Sequence, residues 1–225
     1  MYSGKSNSCS LQLEIYHTIM PLVYQQHINH HTKLGVWHIV ADEQHAGIFD
    51  GIKAIAHPHK RLQHAAGRQI LTALYPDFPI QSISIAASKK PFLKASDYFF
   101  SISHCGNYAA AIVSELQPVG IDIEIPKIQI HNIHHKFLSE EEKLLVKSWP
   151  VPILFALTLA WSVKEAVYKW YGLGGVDFIK HIQLQSLVVQ PTYFEIQCTF
   201  LKEKAQLLKL NATNFNGTSL VWLQA

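Results

Sequence analysis

Asp122 and Glu124 stand two residues apart in Gly120-Ile121-Asp122-Ile123-Glu124. Side chains alternate along an extended segment. Both carboxylates therefore share a face with Gly120, while Ile121, Ile123 and Ile125 take the other. Like charges this close repel and raise one pKa unless a cation lies between them. Backed by an isoleucine row, the pair suits a hard metal ion. A third acid lies in Trp161-Ser162-Val163-Lys164-Glu165-Ala166-Val167-Tyr168-Lys169, where Glu165 and Lys169 are one helical turn apart and share a stripe with Trp161 and Tyr168. The segment is apolar on nearly every side from Phe155 to Val163, the mark of a central helix, and charges there are costly unless paired or bound. A plain surface pair is the alternative. Glu165 facing Asp122 and Glu124 would complete an oxygen-rich site for magnesium, an ion that shares such sites with substrate phosphates. The cations fit that guest: Arg61 and Arg68 seven apart on one helix face, Lys90 fixed before Pro91, His104 after a strand, and Lys169. Taken singly, each reads as a solvated helix face, loop decoration or a turn residue. Only a shared fold could gather them.

The elements that must position these residues follow from pattern. Residues 99–125 read as three short strands with two turns, Ser103-His104 preceding a Cys-Gly-Asn turn. Ahead of them, residues 11–24 and 34–40 read as strands, 42–49 as a short helix or turn, and 80–87 as a strand. Residues 60–74 read as a helix that begins after Pro58, with Leu62, Ala65, Ala66, Ile70, Ala73 and Leu74 at helical spacing. Residues 126–136 read as an irregular loop. Ser139 and Glu142 form a capping box, and the central helix spans 153–170 before Gly172, Gly174 and Gly175. Strands are expected at 181–189, 192–200 and 218–223, the last two antiparallel across a loop containing Asn216-Gly217. Each half thus offers one long helix with several strands, and the natural junction is Glu115 to Pro118. The fold class is α+β, a pair of related subdomains at 1–116 and 117–225.

Composition sets the bounds. Of 225 residues, 48% are apolar and 16% charged, enough for a substantial core. The net charge of +3 is too small to imply nucleic acid, and acids inside the basic site would repel its phosphates unless a metal intervened. Three widely spaced cysteines, Cys9, Cys105 and Cys198, do not make a disulfide framework and fit a reducing compartment. With no signal-like N-terminus and no uncharged run of 18 apolar residues, the reading is a soluble cytoplasmic protein with no membrane span. Cys105 beside His104 does not form a dyad, because neighbours in an extended segment point apart. The clustered histidines at 27–31, 57–59 and 131–135 lack zinc-ligand spacing and read as loop residues. The five tryptophans read as core or interface residues. The apolar loop with Ile128, Ile130 and Ile133 either packs on its own half or offers a partner surface.

Three ordered motifs resemble the 4′-phosphopantetheinyl transferases of the single-chain, Sfp type. Phe100-Ser101-Ile102-Ser103-His104 resembles FSxSH, Val119-Gly120-Ile121-Asp122-Ile123-Glu124 resembles the GxDxE metal strand, and Trp161 to Lys169 resembles WxxKEAxxK. Arg61 to Arg68, ending Gly67-Arg68, is similar to a basic coenzyme A-binding segment. Lys90-Pro91 is similar to a GKP turn, with Lys89 where glycine is usual. The recognisable region runs from about residue 60 to 175. The resemblance implies a pseudo-twofold pair of α+β halves, each a long helix on a small antiparallel sheet, with coenzyme A in the cleft between them. It implies Mg²⁺-dependent transfer of the phosphopantetheine arm of coenzyme A to a serine of an apo acyl or peptidyl carrier protein, releasing 3′,5′-adenosine bisphosphate. The alternative is a non-catalytic relative that binds coenzyme A or a carrier. Under the first reading Asp122, Glu124 and Glu165 hold the metal, and Lys169, His104 and Ser103 lie at the phosphates. Arg61 and Lys90 hold the 3′-phosphate, Arg68 supports the adenosine end, and Glu165 acts as base directly or through water. Lys164 orients Glu165, touches phosphate or faces solvent. A chain carrying both halves has no need to dimerise and is expected to be a monomer.

Overall fold

The computed structural model describes residues 22–40, 55–88, 90–94 and 96–224. The readings for residues 1–21, for the 42–49 segment and for Lys89 lie outside them. The chain opens with β1 (Leu22–Asn29) and β2 (Thr32–His38), then α1 (Pro58–Leu74), β3 (Ile83–Ile85), β4 (Pro91–Leu93), β5 (Phe99–Cys105) and β6 (Tyr108–Ser114). It continues with β7 (Val119–Glu124), α2 (Ile130–Ile133), α3 (Glu140–Lys147), α4 (Ile153–Tyr171), α5 (Phe178–His181), β8 (Ile182–Val189), β9 (Phe194–Phe200), β10 (Gln206–Phe215) and β11 (Thr218–Gln224). An antiparallel sheet in the order β1-β2-β6-β5 forms the first half, with β3-β4 as a separate small ribbon. The second half is an antiparallel sheet in the order β7-β11-β10-β9-β8.

The α+β class is borne out, and the layers follow from which side chains are apolar. Ala66, Ile70, Leu71 and Leu74 of α1 pack on Ala109, Ala111 and Val113 of β6, covering one face of the first sheet. Alternate residues on the other face, Leu34, Val36, Ala110 and Ile112, pack against Val119, Ile121, Ile123, Leu220 and Trp222. The two sheets therefore lie face to face over a shared core. The far face of the second sheet, with Ile196, Cys198, Leu210, Val221 and Leu223, receives α4. Alpha-4 is apolar almost all round because α2 and α3 cover its outer side. The order is helix, sheet, sheet, helix.

Several boundaries differ from the sequence reading. Beta-1 runs on to Asn29, beyond the expected end at residue 24. Residues 80–82 form a turn of 3₁₀ helix after Pro79, so the strand begins only at Ile83. The 126–136 loop folds in part into α2, which buries Ile130 and packs Ile133 on the core, leaving Ile128 exposed. A strand was missed: Gln206–Phe215 lies between the expected 192–200 and 218–223 strands and pairs with both. The Asn216-Gly217 turn joins β10 to β11. No helix among the described residues is long and apolar enough to cross a membrane.

Between the halves, edge strand β5 runs beside edge strand β7. The Ile121 N–H donates to Ser101 Oγ at 3.2 Å and the Ile125 N–H to Cys105 Sγ at 3.3 Å, so the two strands run parallel. Side chains stand where ladder carbonyls would be, and they satisfy buried donors that would otherwise be costly. Cys105 thus faces the seam, away from His104.

Candidate active site

Asp122 lies at the middle of the seam. Its Oδ1 accepts from Ser103 Oγ at 2.8 Å and from Lys169 Nζ at 2.6 Å, and Lys169 also donates to Ser103 Oγ at 2.8 Å. One triangle therefore joins β5, β7 and α4. It requires α4 to lie very close to β7, and Gly120 permits that. A Cβ at Gly120 would stand 2.0 Å from the Ala166 carbonyl oxygen and 3.0 Å from its carbon.

The acids share this face as the two-residue spacing predicts. Burial first, then the Asp122 charge, raises the Glu124 carboxyl. Glu165 is pushed up to about 7, by burial first, then by Asp122 and Glu124 against the opposing Lys169. Asp122 is 2% exposed and its Oδ2 is buried without a hydrogen-bond partner among the described residues. An all-carboxylate donor set with an orphaned buried oxygen fits a hard divalent cation. The fit is one of charge and donor type. No three His, Cys, Asp or Glu side chains among the described residues converge as a ready-made metal cage. Lys169 supplies the positive charge nearest to Asp122.

On the other side of Lys169 opens a cleft of about 260 Å³ between the halves. Arg68 of α1, Lys90, His104 of β5 and Lys169 all line it, together with the apolar Ile83, Phe100 and Ile102. Residues scattered over a hundred positions of sequence are thus gathered, and no acid stands among the lining residues. Burial holds both Arg68 and Lys90 below their ordinary pKa. His104 is lowered to about 4, by burial first and then by His64 and Lys169. The cleft is braced from both halves. Gly172 ends α4 at φ 75°, where a Cβ would meet the Lys90 ammonium at 2.7 Å, and its carbonyl accepts from Ser88 Oγ at 3.1 Å. On the α1 side, His59 Nε2 and Gln63 Nε2 each lie 2.9 Å from the carbonyl of Gly106, in the turn after His104.

Three expected members do not line the cleft: Ser103, held in the triangle with Asp122 and Lys169, Arg61 and Lys164. Arg61 donates to the Ile55 carbonyl at 3.1 Å and is not among the lining residues. Seven residues of helix return to the same face but advance about 10 Å along it, so a shared face is not a shared site. Lys164 does not reach the cleft either. Its ammonium is fully buried and donates to Glu142 Oε1 and Oε2 at 2.7 and 2.8 Å and to the Phe178 and Ile182 carbonyls at 2.8 Å. It joins α4 to α3, α5 and β8. Its proposed contact with phosphate and the solvent-facing alternative are both corrected. The capping box is present, and it is the box glutamate, Glu142, that binds Lys164.

The sequence reading passed over His64 and Tyr168 as cleft residues. His64 was accessible from spacing, since it falls between Arg61 and Arg68 one turn before Arg68. Tyr168 had been placed only in the stripe with Glu165.

Comparison with known proteins bears out the resemblance at the level of the superfamily. Residues 118–216 match the family model described as the 4′-phosphopantetheinyl transferase superfamily. The chain is 29% identical over 133 residues to the enterobactin synthase component D of Salmonella typhi, covering 56% of each chain. It is 34% identical over 128 residues to that of Salmonella austin, covering 54% of this chain and 53% of the relative. A putative 4′-phosphopantetheinyl transferase of Haemophilus influenzae is 29% identical over 139 residues, 59% of each chain. The chain thus spans somewhat more than half the length of these curated relatives.

Proposed function

From a chain related to the 4′-phosphopantetheinyl transferase superfamily, we propose an enzyme that transfers the phosphopantetheine arm of coenzyme A to a serine hydroxyl of an apo acyl or peptidyl carrier protein. The observation that carries this reading is the Asp122–Ser103–Lys169 triangle, which stands between a buried acid group and an acid-free cationic cleft. We take the two halves to meet at residues 116 and 117, between the strand ending at Ser114 and that beginning at Val119.

In this reading the cleft holds the phosphates of coenzyme A. Lys90 and Arg68 face the 3′-phosphate, a role that Arg61 leaves open, and guanidinium geometry suits bidentate phosphate binding. Lys169 has three N–H donors and spends two on Asp122 and Ser103, so one remains for a pyrophosphate oxygen. His104 stands beside it. Asp122, Glu124 and Glu165 would hold Mg²⁺, which when bound supplies positive charge to the pyrophosphate. The serine oxygen bonds to the phosphorus that carries the pantetheine arm. The bond from that phosphorus to the bridging oxygen breaks, and 3′,5′-adenosine bisphosphate leaves with the electron pair. The serine proton passes to a carboxylate. Glu165 is assigned that task, directly or through water. The barrier is lowered mainly by positioning and charge stabilisation.

Incubation with coenzyme A, magnesium and a panel of apo carrier proteins, followed by carrier mass measurement, tests the proposal. One carrier at least should gain the phosphopantetheine mass, and Asp122→Ala should abolish the gain. Tight coenzyme A binding with no transfer to any carrier would leave a binding protein in place of the enzyme.

A further inference from the structure

The cleft contains a pair of imidazoles, and the proposed reaction uses only one of them. His64 projects from α1 and His104 from β5, with ring centroids 5.3 Å apart and planes at 57°. Both line the cleft with Arg68, Lys90 and Lys169. No carboxylate is among the residues lining this cleft. Among the described residues His64 makes no side-chain hydrogen bond, although it is half-buried. The groups facing it are Arg68 and Lys60 on its own helix, His104 on β5, Lys90 at the ribbon turn, and Tyr168 and Lys169 on α4. Everything charged in that set is a cation or can become one. An imidazole so placed, facing an open cleft and without an acid partner, is complementary to an anion that enters later.

We propose that His64 is a phosphate-binding residue of this cleft, and that with His104 it couples binding of a phosphate dianion to uptake of a proton from solvent. The inference rests on the reading of the cleft as a coenzyme A phosphate site. Its physical basis is the sign of the local field. In the empty cleft, burial and the neighbouring cations hold both imidazoles neutral, His64 below its ordinary pKa and His104, against the opposing Asp122 carboxylate, at about 4. A phosphate dianion between them reverses the field. One imidazole then gains a proton from a buffer acid, becomes imidazolium and donates that N–H to a phosphate oxygen. Release of the phosphate returns the proton to the buffer. Affinity therefore rises as pH falls toward the lowered pKa of the free site, until the phosphate itself takes a proton near pH 6.

Titration calorimetry with 3′,5′-adenosine bisphosphate at pH 7, repeated in buffers of different ionisation heat, tests this. The wild-type protein should bind with measurable proton uptake and bind more tightly at pH 6.5 than at pH 8. His64→Ala should weaken binding on the order of ten-fold, the scale of one charge-assisted hydrogen bond, and reduce the uptake. His64→Gln retains a donor but cannot take a proton, so it should regain part of the affinity and none of the uptake. Both variants should melt with the wild type, since the side chain is partly exposed on a helix. The exposed His30→Gln should change nothing. Wild-type affinity and uptake in His64→Ala would overturn this inference alone. Failure of the wild-type protein to bind the ligand would overturn the cleft reading as well.

Discussion

Lys164→Met should cost stability without weakening ligand binding. In the folded protein the Lys164 ammonium donates to both oxygens of Glu142 and to the Phe178 and Ile182 carbonyls, all within 2.8 Å. Glu142 also accepts from the Ser139 N–H at 2.9 Å and the Leu184 N–H at 2.9 Å. Methionine preserves the aliphatic volume and removes the charge. Two backbone N–H groups then remain on the carboxylate, which loses its counter-charge, and two carbonyls lose their donor. Breaking a buried pair by removing one member costs about 3–5 kcal/mol. For a chain of this size each kcal/mol moves the melting midpoint by about 2–4 °C, so the drop should be roughly 6–20 °C. A second change separates charge from packing. Glu142→Gln on the Lys164→Met background removes the uncompensated charge and supplies an amide donor for one carbonyl, while its single oxygen keeps only one of the Ser139 and Leu184 N–H bonds, which the carboxylate accepts on separate oxygens. The double variant should therefore recover part of the loss. Scanning calorimetry gives the midpoints, and coenzyme A titration below the midpoint gives the affinity. If Lys164→Met melts within a degree or two of the wild type yet loses coenzyme A affinity, Lys164 reaches the ligand and the structural assignment is wrong.

Gly120→Ala should be worse than an ordinary core enlargement, because its Cβ meets the Ala166 backbone oxygen at 2.0 Å and no rotamer change can relieve that. We expect about 3 kcal/mol or more of destabilisation in urea unfolding, together with loss of transfer as α4 draws Glu165 and Lys169 away from Asp122. Arg68→Ala should reduce coenzyme A affinity more than Arg61→Ala, measured side by side in one titration. The reverse order would restore Arg61 to the site. The His104 contribution to ligand-free stability should fall on acidification, against an opposing gain from Glu165, whose raised carboxyl binds its proton more tightly in the folded chain. His104 is held at about 4 when folded against an ordinary 6.5, so the unfolded chain binds the extra proton. The stability is present above pH 6.5 and is lost as pH falls toward 4, by roughly 3 kcal/mol at most. His104→Gln should remove that loss, so the variant keeps more of its neutral-pH stability at pH 4 than the wild type does in urea titrations from pH 4 to 7.

The elements legible in the sequence were those whose pattern is local. Beta-7 alternates cleanly, α4 is long and glycine-terminated, and Ser139 and Glu142 cap α3 as their spacing requires. Beta-10 was missed because Leu207, 58% exposed, stands next to the inward Leu208 and blurs the alternation of 208, 210 and 212. Lys164 was misread because one residue of helix is a turn of about 100°. Glu165 is electrically coupled to Asp122 and Glu124, whereas its neighbour Lys164 points to α3 and β8. Arg61 shows the opposite failure, a correct face with the wrong height. Which cations share a cleft depends on tertiary approach between helix, ribbon and strand, and no single element's periodicity carries that information.

The seam accounts for why the candidate chemistry sits where it does. Had β5 and β7 joined in one continuous ladder, backbone rungs would have filled the space between them. Here the rungs at Ile121 and Ile125 end on Ser101 Oγ and Cys105 Sγ, and the position between them holds Ser103 against Asp122. The alternation that turns Ile121 and Ile123 into the inter-sheet core turns Asp122 and Glu124 toward α4. Gly120 then brings α4 near enough for Lys169 to span the gap. Acids and cations from both halves can meet only at an unladdered edge, because only there are side chains from two sheets and a helix aimed at one volume.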